Sequence, residues 1–201
     1  MNPVTHFLGG WAVANTARLG RRDRALVAVA GAAPDADGFG IVAEWLTRNS
    51  DHPLYWWSDY HHVFGHNLCF GLLVAGIASA VAKRRAVTAA LALGAVHLHL
   101  VMDILGGRGP DKDWGIPYLW PVSAWPDITW SGQWELNAWP NFVITGALLV
   151  LAFYLAWRRG YSFVGIVSER ADAAFVATLR RRFPRGEDAP PPDEPERARV
   201  S

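Results

Sequence analysis

Runs of apolar residues separated by short polar or basic breaks dominate the chain. The stretch from about Val63 to Val81 reads VFGHNLCFGLLVAGIASAV, and that from about Pro140 to Trp157 reads PNFVITGALLVLAFYLAW. Each approaches the ~20 residues that carry a helix across a hydrocarbon core. A third, about Ala86 to Leu105, reads AVTAALALGAVHLHLVMDIL and brings His97, His99 and Asp103 near its end. Polar groups inside lipid are costly, so they face a protein interior and serve a function there. Two weaker stretches come first, about Pro3 to Ala17 and about Ala25 to Trp45, the second broken by Pro34 and several glycines. They read as shorter or interrupted membrane helices, because a broken backbone is tolerated where it lines a polar cavity. The pattern predicts an all-α integral membrane bundle of about five membrane-embedded helices, spanning residues 1–160.

Basic residues fall between these runs. Arg18, Arg21, Arg22 and Arg24 separate the first two, Lys83, Arg84 and Arg85 the third and fourth, and Arg158 and Arg159 follow the last. The positive-inside rule puts all three clusters in the cytoplasm and predicts a multi-pass protein of a bacterial-type inner membrane with a cytoplasmic C-terminus. The opposite face then receives the loop around Trp56 and Trp57 and the long stretch from Gly106 to Trp139. Six tryptophans lie in that stretch: Trp114, Trp120, Trp125, Trp130, Trp134 and Trp139. Tryptophan favours the headgroup layer, so a loop folded over the outer end of the bundle is expected. A wholly soluble helical protein with a tryptophan-rich core is the alternative; the near absence of charge from the apolar runs weighs against it.

Beyond Arg159 the period changes. Phe163, Val167, Ala171, Phe175, Leu179 and Phe183 recur every fourth residue beside Arg180, Arg181 and Arg182. Residues 161–183 therefore predict an amphipathic helix on the anionic cytoplasmic surface, with a partner-binding helix as the alternative. Residues 184–201 are charged and rich in proline, the composition of a disordered tail.

Composition narrows the function classes. The chain has 201 residues, 51% of them hydrophobic and 18% charged, with a formal net charge of +1. That balance gives no reason to expect a nucleic-acid partner. Membrane lipids are the partners expected of the apolar runs, and a small-molecule or lipid-linked substrate is expected only from the candidate site and the resemblance given below. Cys69 is the only cysteine, which excludes an intrachain disulfide and a cysteine-rich zinc site. The opening MNPVTHFLGG lacks the features of a secretory signal peptide, so membrane entry is expected to be directed by the chain's own helices.

Candidate chemistry lies in the histidines and aspartates. His6 sits at the outer end of the first segment. Asp35 and Asp37 occupy the break in the second, His61, His62 and His66 open the third, and His97, His99 and Asp103 close the fourth. Four segments thus deliver metal-ligand side chains to one membrane face. His99 and Asp103 are four residues apart, as are His62 and His66, so on a helix each pair projects from one face, offset by about 40°. Mixed imidazole and carboxylate donors suit zinc, manganese or iron. His52 reads as an ordinary loop residue, and His97 fits either a ligand or a packing role.

In order and spacing, Thr5-His6, Pro34-Asp35-Ala36-Asp37, His61-His62-Val63-Phe64-Gly65-His66-Asn67 and His99-Leu100-Val101-Met102-Asp103 resemble the YdjM-like membrane-bound metal-dependent hydrolases, considered distantly similar to zinc-dependent phospholipase C. The resemblance covers roughly residues 1 to 157. It implies divalent metal, zinc first, as one to three ions held by His6, Asp35, His61, His66, His99 and Asp103. Asp37 is then the catalytic base or a carboxylate behind the ligands. Of the adjacent pair, motif spacing favours His61 over His62. Two positions depart from the family pattern: His62 stands where arginine is usual, and Asn67 where serine is. The expected function is hydrolysis of a phosphoester or lipid-linked substrate at the outer membrane face. The competing readings are a non-catalytic metal-binding or metal-transporting protein, a haem bundle and a scaffold acting through its C-terminal helix.

Overall fold

The computed structural model describes residues 1–109 and 114–184. Among the described residues the regular structure is helical apart from one two-stranded ribbon and an isolated bridge between Arg108 and Glu135, as the apolar periodicity predicts. Helices α1 (Pro3–Ala14) and α2 (Arg21–Ala32) are followed by a 3-10 turn over Ala33–Phe39 and then by α3 (Gly40–Thr47). The short α4 (Trp56–Tyr60), α5 (Leu68–Val81) and α6 (Arg85–Gly106) come next, with β1 (Ile116–Pro117) and β2 (Asp127–Ile128) pairing antiparallel before α7 (Trp139–Arg159) and α8 (Glu169–Arg182).

Among the described residues, three helical stretches are long and apolar enough to cross a membrane: Arg21–Thr47, Arg85–Gly106 and Trp139–Arg159. The other two expected segments form shorter helices, α1 with 12 residues and α5 with 14. Both fall below the ~20 residues needed to span. The shortfall in the third segment has a visible cause. Its first residues, 61–67, leave helical geometry to build the polar site, and α5 begins only at Leu68. In the second segment the expected break is real: Pro34 and the two aspartates occupy the 3-10 turn between α2 and α3.

The chain divides into two compact units, Met1–Ala152 and the residues from Phe153 onward. In the first, α1 starts on a capping arrangement: Asn2 accepts from the Thr5 N–H at 3.0 Å and Pro3 takes the first helical position. Such a cap stabilises a helix by ~1 kcal/mol. Helices α1 and α2 then cross backbone to backbone at Gly10 and Gly31. A Cβ on Gly31 would lie 2.7 Å from both the Gly10 Cα and the His6 carbonyl oxygen. The core beside this crossing is built from small side chains, Ala14, Val27, Ala30, Ala78, Ala92, Ala95 and Val96 among them. Small residues let helices approach closely where lipid supplies no hydrophobic drive to associate.

The buried Asp23 ties α2 to α6. Its carboxylate accepts the backbone N–H groups of Lys83 at 2.9 Å and Arg84 at 2.8 Å, donors that the start of α6 leaves unpaired. The Arg84 guanidinium also donates to the Arg18 carbonyl. Two of the basic clusters therefore share one end of the bundle, and the histidines lie toward the other.

In the second unit, Ser168 caps α8 by accepting from the Ala171 N–H at 3.2 Å. The helix begins at Glu169 rather than at 161, because Phe163–Ile166 forms a separate 3-10 turn. Phe175 packs edge-on to Phe153, with ring centroids 5.3 Å apart, and Arg180–Arg182 close the helix where cations favour its dipole. From residue 185 the tail lies outside the described residues.

Candidate metal centre

Four pieces of backbone build the site: the first turns of α1, the 3-10 turn after α2, the loop 61–67 and the last turns of α6. Each is shaped locally by its sequence. Pro34 opens the 3-10 turn. Gly65 lets the loop meet that turn, since a Cβ there would strike the Pro34 carbonyl. Asn67 ends the loop by capping α5, accepting from the Phe70 N–H at 2.8 Å while its amide donates to the Val63 and Phe64 carbonyls. Serine is as strong an N-cap, so the departure from the family's serine keeps the backbone role.

The side chains converge. His99 Nε2 lies 2.9 Å from Asp103 Oδ2, 3.0 Å from His66 Nε2 and 3.0 Å from His6 Nδ1. His6 Nε2 is 3.3 Å from Asp103 Oδ1, and His6 Nδ1 is 3.5 Å from Asp35 Oδ2. The Met1 nitrogen also meets the Asp103 carboxylate. His6, His62, His66, His99 and Asp103 are all buried. Among the described residues, two sets of three offer donor atoms within 4.8 Å of one another: His6, Asp35 and His99, and His62, His66 and Asp103.

Neighbouring groups fix which nitrogen each ring turns inward. His99 Nδ1 donates to the Gly31 carbonyl at 2.8 Å and His66 Nδ1 donates to Asp37 Oδ2 at 3.0 Å. Both rings therefore present Nε2 to the cluster. Asp37 is the organiser of the far side: Oδ1 accepts from His61 Nδ1 at 2.8 Å, and Oδ2 accepts from the Gly65 N–H at 3.0 Å as well as from His66. With both oxygens engaged, Asp37 occupies the position of a carboxylate behind a metal-ligating histidine.

His61 and His62 exchange the places expected of them. His61, taken from motif spacing as a ligand, belongs to neither set of converging donors and hydrogen-bonds Asp37 instead. His62 belongs to the second set, its ring centroid 4.3 Å from that of His66. The reason is backbone: His62 has φ of 72°, the left-handed region that non-glycine residues seldom adopt, which swings its ring back toward His66. His97 stands apart. Its Nδ1 donates to the Leu93 carbonyl and its Nε2 accepts from the Tyr118 hydroxyl, each at 2.8 Å, so it anchors the loop that carries Tyr118. His52 is exposed in its loop.

A resident cation fits these donors. His6 Nε2, Asp35 Oδ2, His62 Nδ1 and Asp103 Oδ2 are buried and make no hydrogen bond. Leaving a buried polar atom so costs about 1–3 kcal/mol, a penalty that coordination removes. Imidazole and carboxylate without thiolate is the donor chemistry of zinc sites that keep an open position. Burial opposes a charge on His66, but the Asp103 and Asp37 carboxylates beside it outweigh that and raise its pKa to about 9. His62 is driven the other way, well below the usual imidazole range, by burial and by the nearby His66.

Two cavities flank the cluster. One, of about 510 Å3, is mostly apolar and includes Asp35, His61, His62 and Trp114 in its wall. The other, of about 370 Å3, shares His61, His62 and Trp114 and adds Ser58, Asp59 and Asp127. Trp114 stands edge-on to both histidines, with ring centroids 5.2 Å from His61 and 5.0 Å from His62, so the tryptophan-rich stretch does supply part of the site's wall.

The sequence model of the family described as YdjM inner membrane protein matches residues 1–176. The chain belongs to this family. The match runs past the span covered by the motifs and into α8. With its apolar helices, membership makes the chain an inner membrane protein. Neither the curated proteins nor the solved structures contain a match to it. The four motifs picked out in the sequence lie within the matched span and are the four pieces of backbone that meet here.

Proposed function

We propose that this protein is a metal-dependent hydrolase of the inner membrane, acting on a phosphoester or lipid-linked substrate at the outer face. The observation that carries the reading is the convergence of His6, Asp35, His62, His66, His99 and Asp103, five of them buried and four, His6, Asp35, His62 and Asp103, with a buried donor atom that makes no hydrogen bond. Zinc is the ion these donors favour, and the two sets of three would hold two ions side by side. The three basic clusters, read by the positive-inside rule, put the site on the outer side and the C-terminus in the cytoplasm. The amphipathic α8 would rest on the inner leaflet through its arginines.

When bound, the divalent ion supplies Lewis-acid polarisation of the ester and acidifies water toward neutral pH. The chain's own residues do the rest. Asp37 holds the rings of His61 and His66 in fixed orientation through their Nδ1 atoms. His61, in the wall of both cavities, is placed to hold at Nε2 the proton that the departing alcohol takes up. In the balanced reaction, the water oxygen bonds to phosphorus as the ester P–O bond breaks, the alcohol leaves with the proton from His61, and the proton lost by the attacking water replaces it on His61. Trp57 and Trp114 meet edge-on at 5.2 Å and limit water entry from one side.

The test is metal analysis of the purified full chain, followed by assay against phosphomonoesters, phosphodiesters and phospholipids with and without chelator. The expected result is stoichiometric metal and chelator-sensitive turnover of at least one ester class. Stoichiometric metal with no turnover across the panel removes the hydrolase reading.

A further inference from the structure

We propose that the larger cavity beside the cluster holds the apolar chain of a membrane amphiphile, which enters sideways from the bilayer with its anionic ester toward Asp35 and His62. This inference rests on the hydrolase reading for the ester and adds the class of substrate and its path. The cavity, of about 510 Å3, is of the size that takes a small ligand. Val29, Ala36, Phe39 and Ile41 line it, all from the Arg21–Thr47 stretch, which is long and apolar enough to cross a membrane. Val29 is 52% exposed, Phe39 75% and Ile41 51%. Side chains of this kind on a spanning helix meet lipid rather than water, so the mouth they form opens to the bilayer. At the other end lie Asp35 and His62, each with a buried atom that makes no hydrogen bond.

The cavity is therefore apolar where it meets lipid and polar where it meets the cluster. An ester without a chain would leave most of its volume unfilled. The second cavity, with Asp59 and Asp127 in its wall, lies across His61, His62 and Trp114 and offers room for a hydrophilic remainder. An amphiphile with its ester between the two fills both.

The experiment uses the full chain, zinc-loaded, in phosphatidylcholine nanodiscs, with decyl phosphate carrying a terminal diazirine as probe. Photolabelling is expected on the segment that contains Val29, Phe39 and Ile41. Alkyl phosphates from ethyl to octyl should protect, two- to fourfold better for each added methylene, as burial of about 0.8 kcal/mol per CH2 implies. Inorganic phosphate should protect little. Val29→Trp, which fills the cavity, and Phe39→Asp, which puts charge on its apolar wall, should each lower labelling several-fold while metal content stays at the wild-type level. Labelling spread evenly over α7 and the other lipid-facing helices, a flat protection series, or unchanged labelling in both variants would overturn the proposal. The two readings fail separately. Segment-specific labelling with no ester turnover leaves the chain site and removes the hydrolase, whereas turnover of soluble esters with a flat series does the reverse.

Discussion

His66 and His99 face each other through their Nε2 atoms at 3.0 Å, while each ring's Nδ1 is committed elsewhere, to Asp37 and to the Gly31 carbonyl. Two neutral rings arranged this way would oppose lone pair to lone pair. A cation beside them, either a proton or a metal ion, would relieve that opposition. In the metal-free state the proton is held on His66, whose pKa is raised to about 9.

That competition sets a pH dependence. Below about 9 the metal-free His66 is protonated, and coordination requires the neutral ring. Zinc binding near neutral pH should therefore release a proton from His66, and affinity should rise roughly tenfold per pH unit before levelling above about 9. His62, already neutral at pH 7, adds nothing to this slope. Calorimetry in buffers of different ionisation enthalpy measures the released proton, and a pH-independent affinity would contradict the arrangement.

His99→Ala removes the ring nearest the centre of the cluster. Bound metal should fall by at least one ion per chain, measured by elemental analysis of purified protein, with helix content by circular dichroism retained. Metal content equal to wild type would show that the six converging side chains do not act as one site.

The adjacent histidines give opposite expectations. His62→Ala should reduce bound metal, because His62 is one of three donors in its set. His61→Ala should leave metal content near wild type and lower turnover instead. If the two variants behaved the other way round, the exchange of roles read from the backbone would be wrong.

Asp37→Asn keeps the shape but replaces a carboxylate that accepts from His61, His66 and Gly65 with an amide. Loss of such a group behind a ligand typically weakens metal affinity by about 10–100-fold. Competition with a chelator of known affinity reads the change directly.

Asp23 provides a test of the fold remote from the site. Asp23→Ala strands the N–H groups of Lys83 and Arg84 that its carboxylate accepts. The expected loss is about 1–3 kcal/mol of stability, seen as a lower thermal midpoint in detergent, with zinc affinity in the surviving folded protein unchanged.

Much of this architecture was legible from the residues. Apolar runs located the helices, and Pro34 with two nearby aspartates marked a break where polar groups gather. Helical spacing correctly put His99 and Asp103 side by side, because α6 is regular through both. It also paired His62 with His66, which do meet, although through non-helical backbone; motif spacing is what favoured His61, and the left-handed backbone at His62 has no signature in hydropathy. Tryptophan counts predicted an outer loop, but not that Trp114 would stand against His61 and His62. That contact depends on where a long irregular segment folds back, which no local period encodes. The extent of α8 was overestimated because a repeat of four continued through Phe163, where Ser162 turns its hydroxyl onto the Val164 N–H at 3.1 Å and starts a separate short turn.

The bare crossing of Gly10 and Gly31 has one more implication. His6 is one turn before Gly10, and the Gly31 carbonyl orients His99, so the spacing of the converging side chains is gauged by two hydrogens where side chains would otherwise stand. A single methyl added at either glycine would act as a shim, prying His6 away from Asp35 and tilting His99 without touching any donor atom.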